Sequence, residues 1–372
     1  MIIRNAKVFC EDGSFEEREV YLEGERFAAS AGGETLDAAG CYAVPGLVDL
    51  HFHGCVGHDF CDGTPEALAA IARYEAQNGV TAICPATMTF PEEKLRAVCE
   101  NAAAFSAPED GAALVGINME GPFISLAKKG AQNGAYVHKP DVGMFRRLQA
   151  ASGGLVKLLA IAPEEPGGLE LISELREEVG LSVAHTTADY DTAAEAYRRG
   201  ARQATHLFNA MPPFSHRAPG VVGAAFDAPH CRAELITDGV HVHPSMVRAA
   251  YRLFGPERLI LISDSMMATG LPDGEYELGG QPVKVRGNRC TLADGTIAGS
   301  ATNLMDCLRT AVKKMGLPLG GAVRCATVNP ARSIGIFDER GSVAPGKVAD
   351  LALLDGELNL VKVFLRGRPL EA

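Results

Sequence analysis

Residues 45–54 read PGLVDLHFHG, and the fold turns on this stretch. Leu47–Leu50 is a short apolar run of strand character that breaks directly into His51-Phe52-His53. In extended backbone, side chains two residues apart point the same way, so His51 and His53 can face one ion together. An open doubly wound sheet usually follows its first strand with a G-x-G-x-x-G turn, and none stands here.

Further strand-like runs follow at Val80–Cys84, Leu114–Met119, Lys157–Ile161, Ser182–Ala184, Arg202–Thr205, Glu234–Thr237 and Leu259–Ser263, with helical segments between most of them. The first helix is well marked: Thr64 caps it, Pro65 takes its first position, Leu68, Ile71 and Ala72 supply an apolar face, and Gly79 stops it. Eight such β-α units predict an α/β fold, a (β/α)8 TIM-like barrel over residues 44–339. The two ends read differently. Met1–Phe9, Glu19–Leu22 and Arg26–Ala29 at one end, and Gly341–Val343, Leu351–Leu354 and Leu360–Leu365 at the other, are short strands broken by turns. Neither end alone can hold a core. Residues 1–43 and 340–372 are therefore expected to build one small β-sandwich domain together.

The 372 residues are 47% hydrophobic, enough for a large core, with a net charge of −11 that argues against nucleic acid or an anionic membrane as partner. No apolar run is long enough to span a bilayer, and the first residues lack the apolar core of a secretory leader. Ten cysteines are scattered singly, without a C-x-x-C pair, as expected of reduced thiols in the cytoplasm.

The chemistry lies at the strand ends. The first strand ends in His51 and His53, the third in Glu120, the fifth in His185, the sixth in His206 and the eighth in Asp264. In a barrel all these ends share one rim, where active sites sit. A single histidine after a strand is commonly a surface or capping residue, and Asp264 alone could simply cap the turn that follows it. Six metal-competent side chains at one rim point instead to a divalent metal site. Asp264 would then act as general base and general acid beside it.

The segments around these residues carry a resemblance. PGLVDLHFHG resembles the opening strand of the amidohydrolase superfamily. NMEGPFIS with KKGAQN, AHTTA, THLFNAM, HRAPG, ITDGVHVHP and LISDSMMATG together look like the N-acetylglucosamine-6-phosphate deacetylase family, and GTIAGS, ATVNPAR and GSVAPGKVADLALLD continue the likeness. The resemblance implies a cytoplasmic deacetylase acting on an amino-sugar phosphate. It implies that Glu120, His185 and His206 hold the principal metal, that His51 and His53 match a second metal position, and that Asp264 is catalytic. The ion could be Zn²⁺, Fe²⁺, Co²⁺ or Mn²⁺, one or two per subunit. Ala131, Gln132, Asn209, Ala210, Arg217 and His241 would contact the substrate, and Ala298 and Gly299 would line the acyl end. Arg217 would reach the phosphate of a neighbouring subunit, which implies a homodimer. By this reading hydroxide generated on the metal attacks the acetamide carbonyl, and Asp264 passes the proton to the leaving amine. One departure stands out: where several family members have histidine, KGA continues here with Gln132, a neutral donor that could still serve the developing oxyanion. The alternatives are the galacto epimer of the substrate, another amidohydrolase reaction, or a non-catalytic sugar-phosphate sensor.

Overall fold

The computed structural model describes residues 1–371. Two parallel sheets form its centre. One joins Leu47–Asp49, Val80–Ile83 and Ala113–Leu114; the other runs in sequence order through Ile117–Met119, Val156–Ile161, Gly180–Val183, Gln203–Ala204, Arg232–Ile236 and Leu259–Ile262. All eight expected strands are therefore present, the third split in two. Their residues are almost wholly buried, as parallel strands covered on both faces should be. Backbone hydrogen bonds link the two sheets: Asn118 N donates to Pro85 O on one side, and Asp264 N to His51 O on the other.

Two apolar clusters sandwich these strands. Val48, Leu50, Ala82, Cys84, Leu158, Ile236, Ile260 and Ile262 meet on one side with Ala331 and Ile334. On the other, Ile83, Leu159, Val183 and Leu235 pack against helices that include Pro65–Gln77. That helix begins as expected, with Thr64 Oγ accepting from Ala67 N at 3.2 Å.

The chain ends also meet. Leu351–Leu354 pairs antiparallel with Tyr42–Pro45 in a six-stranded sheet that also holds Lys7–Phe9, Phe15–Glu17, Leu360–Leu365 and Arg368–Pro369. A four-stranded sheet, Ile2–Arg4, Val20–Glu23, Arg26–Ala28 and Thr35–Asp37, shares an apolar cluster with it through Ile3, Val8, Leu22, Leu351 and Phe364. Two expectations need correction. Met1–Phe9 is two strands, because Asn5 turns into left-handed backbone (φ 62°). Gly341–Val343 is not a strand; it has no ladder partner. The sequence reading also passed over an antiparallel sheet, Gly274–Leu278, Gln281–Arg286, Arg289–Thr291 and Ile297–Ser300, which follows the last parallel strand. No helix among the described residues is long and apolar enough to cross a membrane.

Candidate metal centre and substrate pocket

Six of the expected residues converge at the C-terminal ends of the parallel strands. Each is buried: His51, His53, Glu120, His185, His206 and Asp264. His185 Nε2 and His206 Nε2 both lie 3.0 Å from Glu120 Oε1 and 3.1 Å from one another. Tetrahedral Zn²⁺ with bonds of about 2.0–2.1 Å sets its ligand atoms about 3.3 Å apart. This triangle therefore has nearly the size one ion needs. A second group adjoins it. His53 Nε2 is 3.4 Å from both Glu120 Oε2 and Asp264 Oδ1, and His51 Nε2 is 3.3 Å from Glu120 Oε1. His51, His53 and Asp264 offer ligand atoms to one point, as do His51, Glu120 and His206. Glu120 belongs to both neighbourhoods: Oε1 faces His185, His206 and His51, and Oε2 faces His53.

Whether a cation fits is answered by what these atoms otherwise lack. His51 Nε2 is buried with no hydrogen-bond partner, an arrangement that persists only when something else satisfies the group. The field agrees. Burial pulls the His51 imidazole down, but the carboxylates of Glu234 and Glu120 outweigh it and hold its pKa well above the ordinary value. Burial likewise opposes, and Asp264 and Glu120 overcome, at His53, whose pKa is raised. Burial raises Glu120 and Asp264, yet the surrounding imidazoles bring both below the usual carboxylate range. Without a metal, protons on histidine balance these carboxylates; a divalent cation can take their place.

The orientation of the rings is set from behind. Glu234 Oε2 sits 2.7 Å from His51 Nδ1, and the Lys128 carbonyl takes His185 Nδ1–H at 2.9 Å, which leaves Nε2 of each facing the centre. Three of the carriers have left-handed backbone: His185 (φ 42°), His206 (φ 26°) and Asp264 (φ 50°). Non-glycine residues rarely adopt this conformation, and such strain clusters at functional sites.

A cleft of about 350 Å³ opens over the centre, lined among others by His53, Glu120, Ala131, Gln132, His185, His206, Asn209, Ala210, His241, Asp264 and Gly299. His51 lies beneath it. Gly299 has φ 63°, and a Cβ there would come within 3.1 Å of Asp264 O, so only glycine suits the wall beside the carboxylate. Ala298 is buried and does not line the cleft; its neighbours Ile297 and Gly299 do. Arg217 also lies elsewhere. It is exposed, in a separate cleft with Tyr190, Pro213 and Asp227. Gln132 proves to be bound on both sides: its Oε1 accepts from Thr89 N at 2.6 Å and its Nε2 donates to Glu120 Oε2 at 2.6 Å. The second H-x-H divides its duties. Burial opposes, but Asp238 at 2.7 Å raises, the pKa of His241, which faces the cleft. His243 caps the helix Pro244–Phe254.

Sequence reasoning missed Glu234 and Asp238, which orient His51 and His241, and Lys128, the cation that this chain itself brings to the cleft wall. An acidic residue inside an otherwise apolar strand was the one available signal for Glu234.

The sequence profile of the Amidohydrolase family matches residues 42–370. N-acetylglucosamine-6-phosphate deacetylase of Bacillus subtilis (strain 168) is 36% identical over 98% of this chain and 93% of its own length. N-acetylgalactosamine-6-phosphate deacetylase of Escherichia coli O157:H7 is 32% identical over 87% of this chain and 86% of its own. A solved structure of the Mycobacterium smegmatis N-acetyl-D-glucosamine-6-phosphate deacetylase, a mutant in complex with N-acetyl-D-glucosamine-6-phosphate, superposes with a TM-score of 0.92 at 33% identity, covering 100% of this chain and 99% of that one. With a family match over almost its whole length and the metal-competent cluster at the expected strand ends, the chain belongs to the amidohydrolase family.

Proposed function

We propose that this chain hydrolyses the acetamide of N-acetylglucosamine 6-phosphate, giving glucosamine 6-phosphate and acetate. The observation that carries the reading is Asp264, a carboxylate 3.4 Å from His53 and beside Glu120, placed on the wall of a cleft of about 350 Å³. Glu120, His185 and His206 would hold one divalent ion and His51 and His53 a second; Zn²⁺ suits this nitrogen and oxygen set best, and Fe²⁺, Co²⁺ or Mn²⁺ accept it too. When bound, the ion supplies Lewis acidity, lowering the pKa of water and polarising the carbonyl. Asp264 takes a proton from the attacking water and gives it to the amine as the C–N bond breaks. Gln132 keeps Glu120 in place. His241, Lys128 and Asn209 hold the sugar phosphate, so that binding energy far from the amide positions it. Ala131, Ala210 and Gly299 shape the remaining wall.

The architecture we infer is a closed (β/α)8 barrel over residues 44–339, with residues 1–43 and 340–371 forming a β-sandwich beside it. The Asp264–His51 backbone bond and the inner apolar cluster support the closure, and the pairing of Leu351–Leu354 with Tyr42–Pro45 supports the joint terminal domain. Arg217, exposed and outside its own chain's cleft, fits a homodimer in which it reaches the partner's phosphate. Free thiols throughout fit the cytoplasm.

Acetate release by the metal-loaded enzyme tests the reaction, with N-acetylglucosamine 6-phosphate, its galacto epimer and the unphosphorylated sugar run in parallel and Asp264→Asn as control. Release from the first, lost in the control, is expected. Preference for the epimer would change the sugar and keep the mechanism. No release from any, with metal bound, would overturn the assignment.

A further inference from the structure

The opposite end of the parallel strands holds a second cleft of about 350 Å³, where the strands that begin at Val156, Gly180, Gln203 and Arg232 start. Five cations line it: Lys157, Arg176, Arg202, Arg232 and Arg332. In a chain of net charge −11 this is a local reversal of sign. The acids nearby do not cancel it. Glu178 is taken by Arg146 at 2.6 Å. Glu177, 3.6 Å from Arg176 and 4.0 Å from Arg202, is the other acid on the wall. Arg332 reaches Glu11 only at 3.7 Å.

Lys157 and Arg232 make no ion pair and no side-chain hydrogen bond among the described residues. Arg232 is half-buried, and its pKa is lowered first by that burial and then by the charge of Arg332, with a further contribution from Arg202. Five cations thus face two carboxylates on this wall, and Lys157 and Arg232 are the pair left without one. The floor, by contrast, is fixed: Gln203 receives the Ser333 hydroxyl on Oε1 and donates from Nε2 to Glu234, the carboxylate behind His51.

We propose that this cleft binds a small metabolite through its phosphate group. Arginine forks and a lysine around a concave pocket match phosphate oxygens, which accept paired hydrogen bonds. The volume is that of a small-ligand site. An extended polyanion or a lipid surface is disfavoured, because it would also meet Glu177, whose side chain is 76% exposed, and a chain that is acidic overall.

The test is calorimetric titration of the metal-loaded enzyme with inorganic phosphate and, separately, with glucose 6-phosphate, at constant ionic strength against chloride. Wild type, Arg232→Gln and Arg202→Glu are compared, the last at an exposed position that folding tolerates. Binding at least tenfold weaker in both variants, with kcat/KM for acetate release in phosphate-free buffer within twofold of wild type, is the expected result. Tighter binding of the sugar phosphate than of inorganic phosphate, lost in the same variants, assigns a sugar-phosphate ligand; equal binding assigns the phosphate group alone. No binding to the wild type overturns the proposal, and so does binding that neither variant changes, because the anion would then sit only in the cleft over the metal centre.

Discussion

Replacing Gln132 by alanine separates two roles for its amide. An oxyanion donor would leave its N–H₂ free for substrate. Here Thr89 N fixes the oxygen end and one of the two amide N–H groups donates to Glu120 Oε2, both at 2.6 Å and both buried, so that a single N–H remains to face the cleft. A hydrogen bond to a charged group is worth about 1.5–3 kcal/mol. At about 1.4 kcal/mol per factor of ten, losing it should weaken metal binding through Glu120 roughly 10- to 100-fold. Loss of an oxyanion donor would instead cost about 100- to 1,000-fold in kcat. The assay is acetate release by metal-stripped enzyme across buffered free-metal concentrations. In Gln132→Ala the activation midpoint should move up by about one to two decades, with kcat at saturating metal within about tenfold of wild type. An unmoved midpoint with kcat lowered a hundredfold or more would refute the clamp and restore the oxyanion role.

Three further outcomes follow from the same geometry. Glu234→Gln removes the carboxylate behind His51 and should lower metal affinity about 10- to 100-fold, read by competition with a chelator. If the proposed homodimer shares its sites, Asp264→Asn and Arg217→Ala should each be inactive or nearly so alone yet regain activity when co-expressed, because a mixed dimer would hold one site with both residues; no recovery would place Arg217 outside the site. Glu75 is buried, neither oxygen has a partner, and burial, then Asp49, pushes its pKa well above 4.5. Its folded-state pKa exceeds the unfolded one, so its contribution to stability is complete below the unfolded value and is lost as pH rises through the folded one. The melting temperature of wild type should therefore fall relative to Glu75→Gln as pH is raised from acid to alkaline, and parallel curves would count against a buried, ionising Glu75.

The parallel strands were legible because such strands, covered on both faces, need unbroken apolar runs, and each such run stands out between helices. The centre was legible for a related reason: histidines and carboxylates directly after those runs all reach one rim. What escaped notice has physical causes. The sheet Gly274–Ser300 alternates exposed and buried positions over short strands, as in Gln281–Arg286, which resembles turn-rich loop in a single sequence. Glu234 meets His51 across 183 residues, a separation that no spacing pattern encodes. Gln132 does line the cleft, as its sequence neighbours suggest; that its amide also bridges Thr89 and Glu120 was not legible, because only folding brings those two residues together.

The left-handed backbone at His185, His206 and Asp264 has a consequence for how this enzyme would evolve or be engineered. Each such residue costs about 1–3 kcal/mol that the rest of the fold must absorb. Glycine or asparagine would sit there more comfortably and would discard the reacting group. Robustness and turnover thus pull these three positions in opposite directions. A library sorted only for heat tolerance should enrich substitutions there, and its hardiest members should be those that release no acetate.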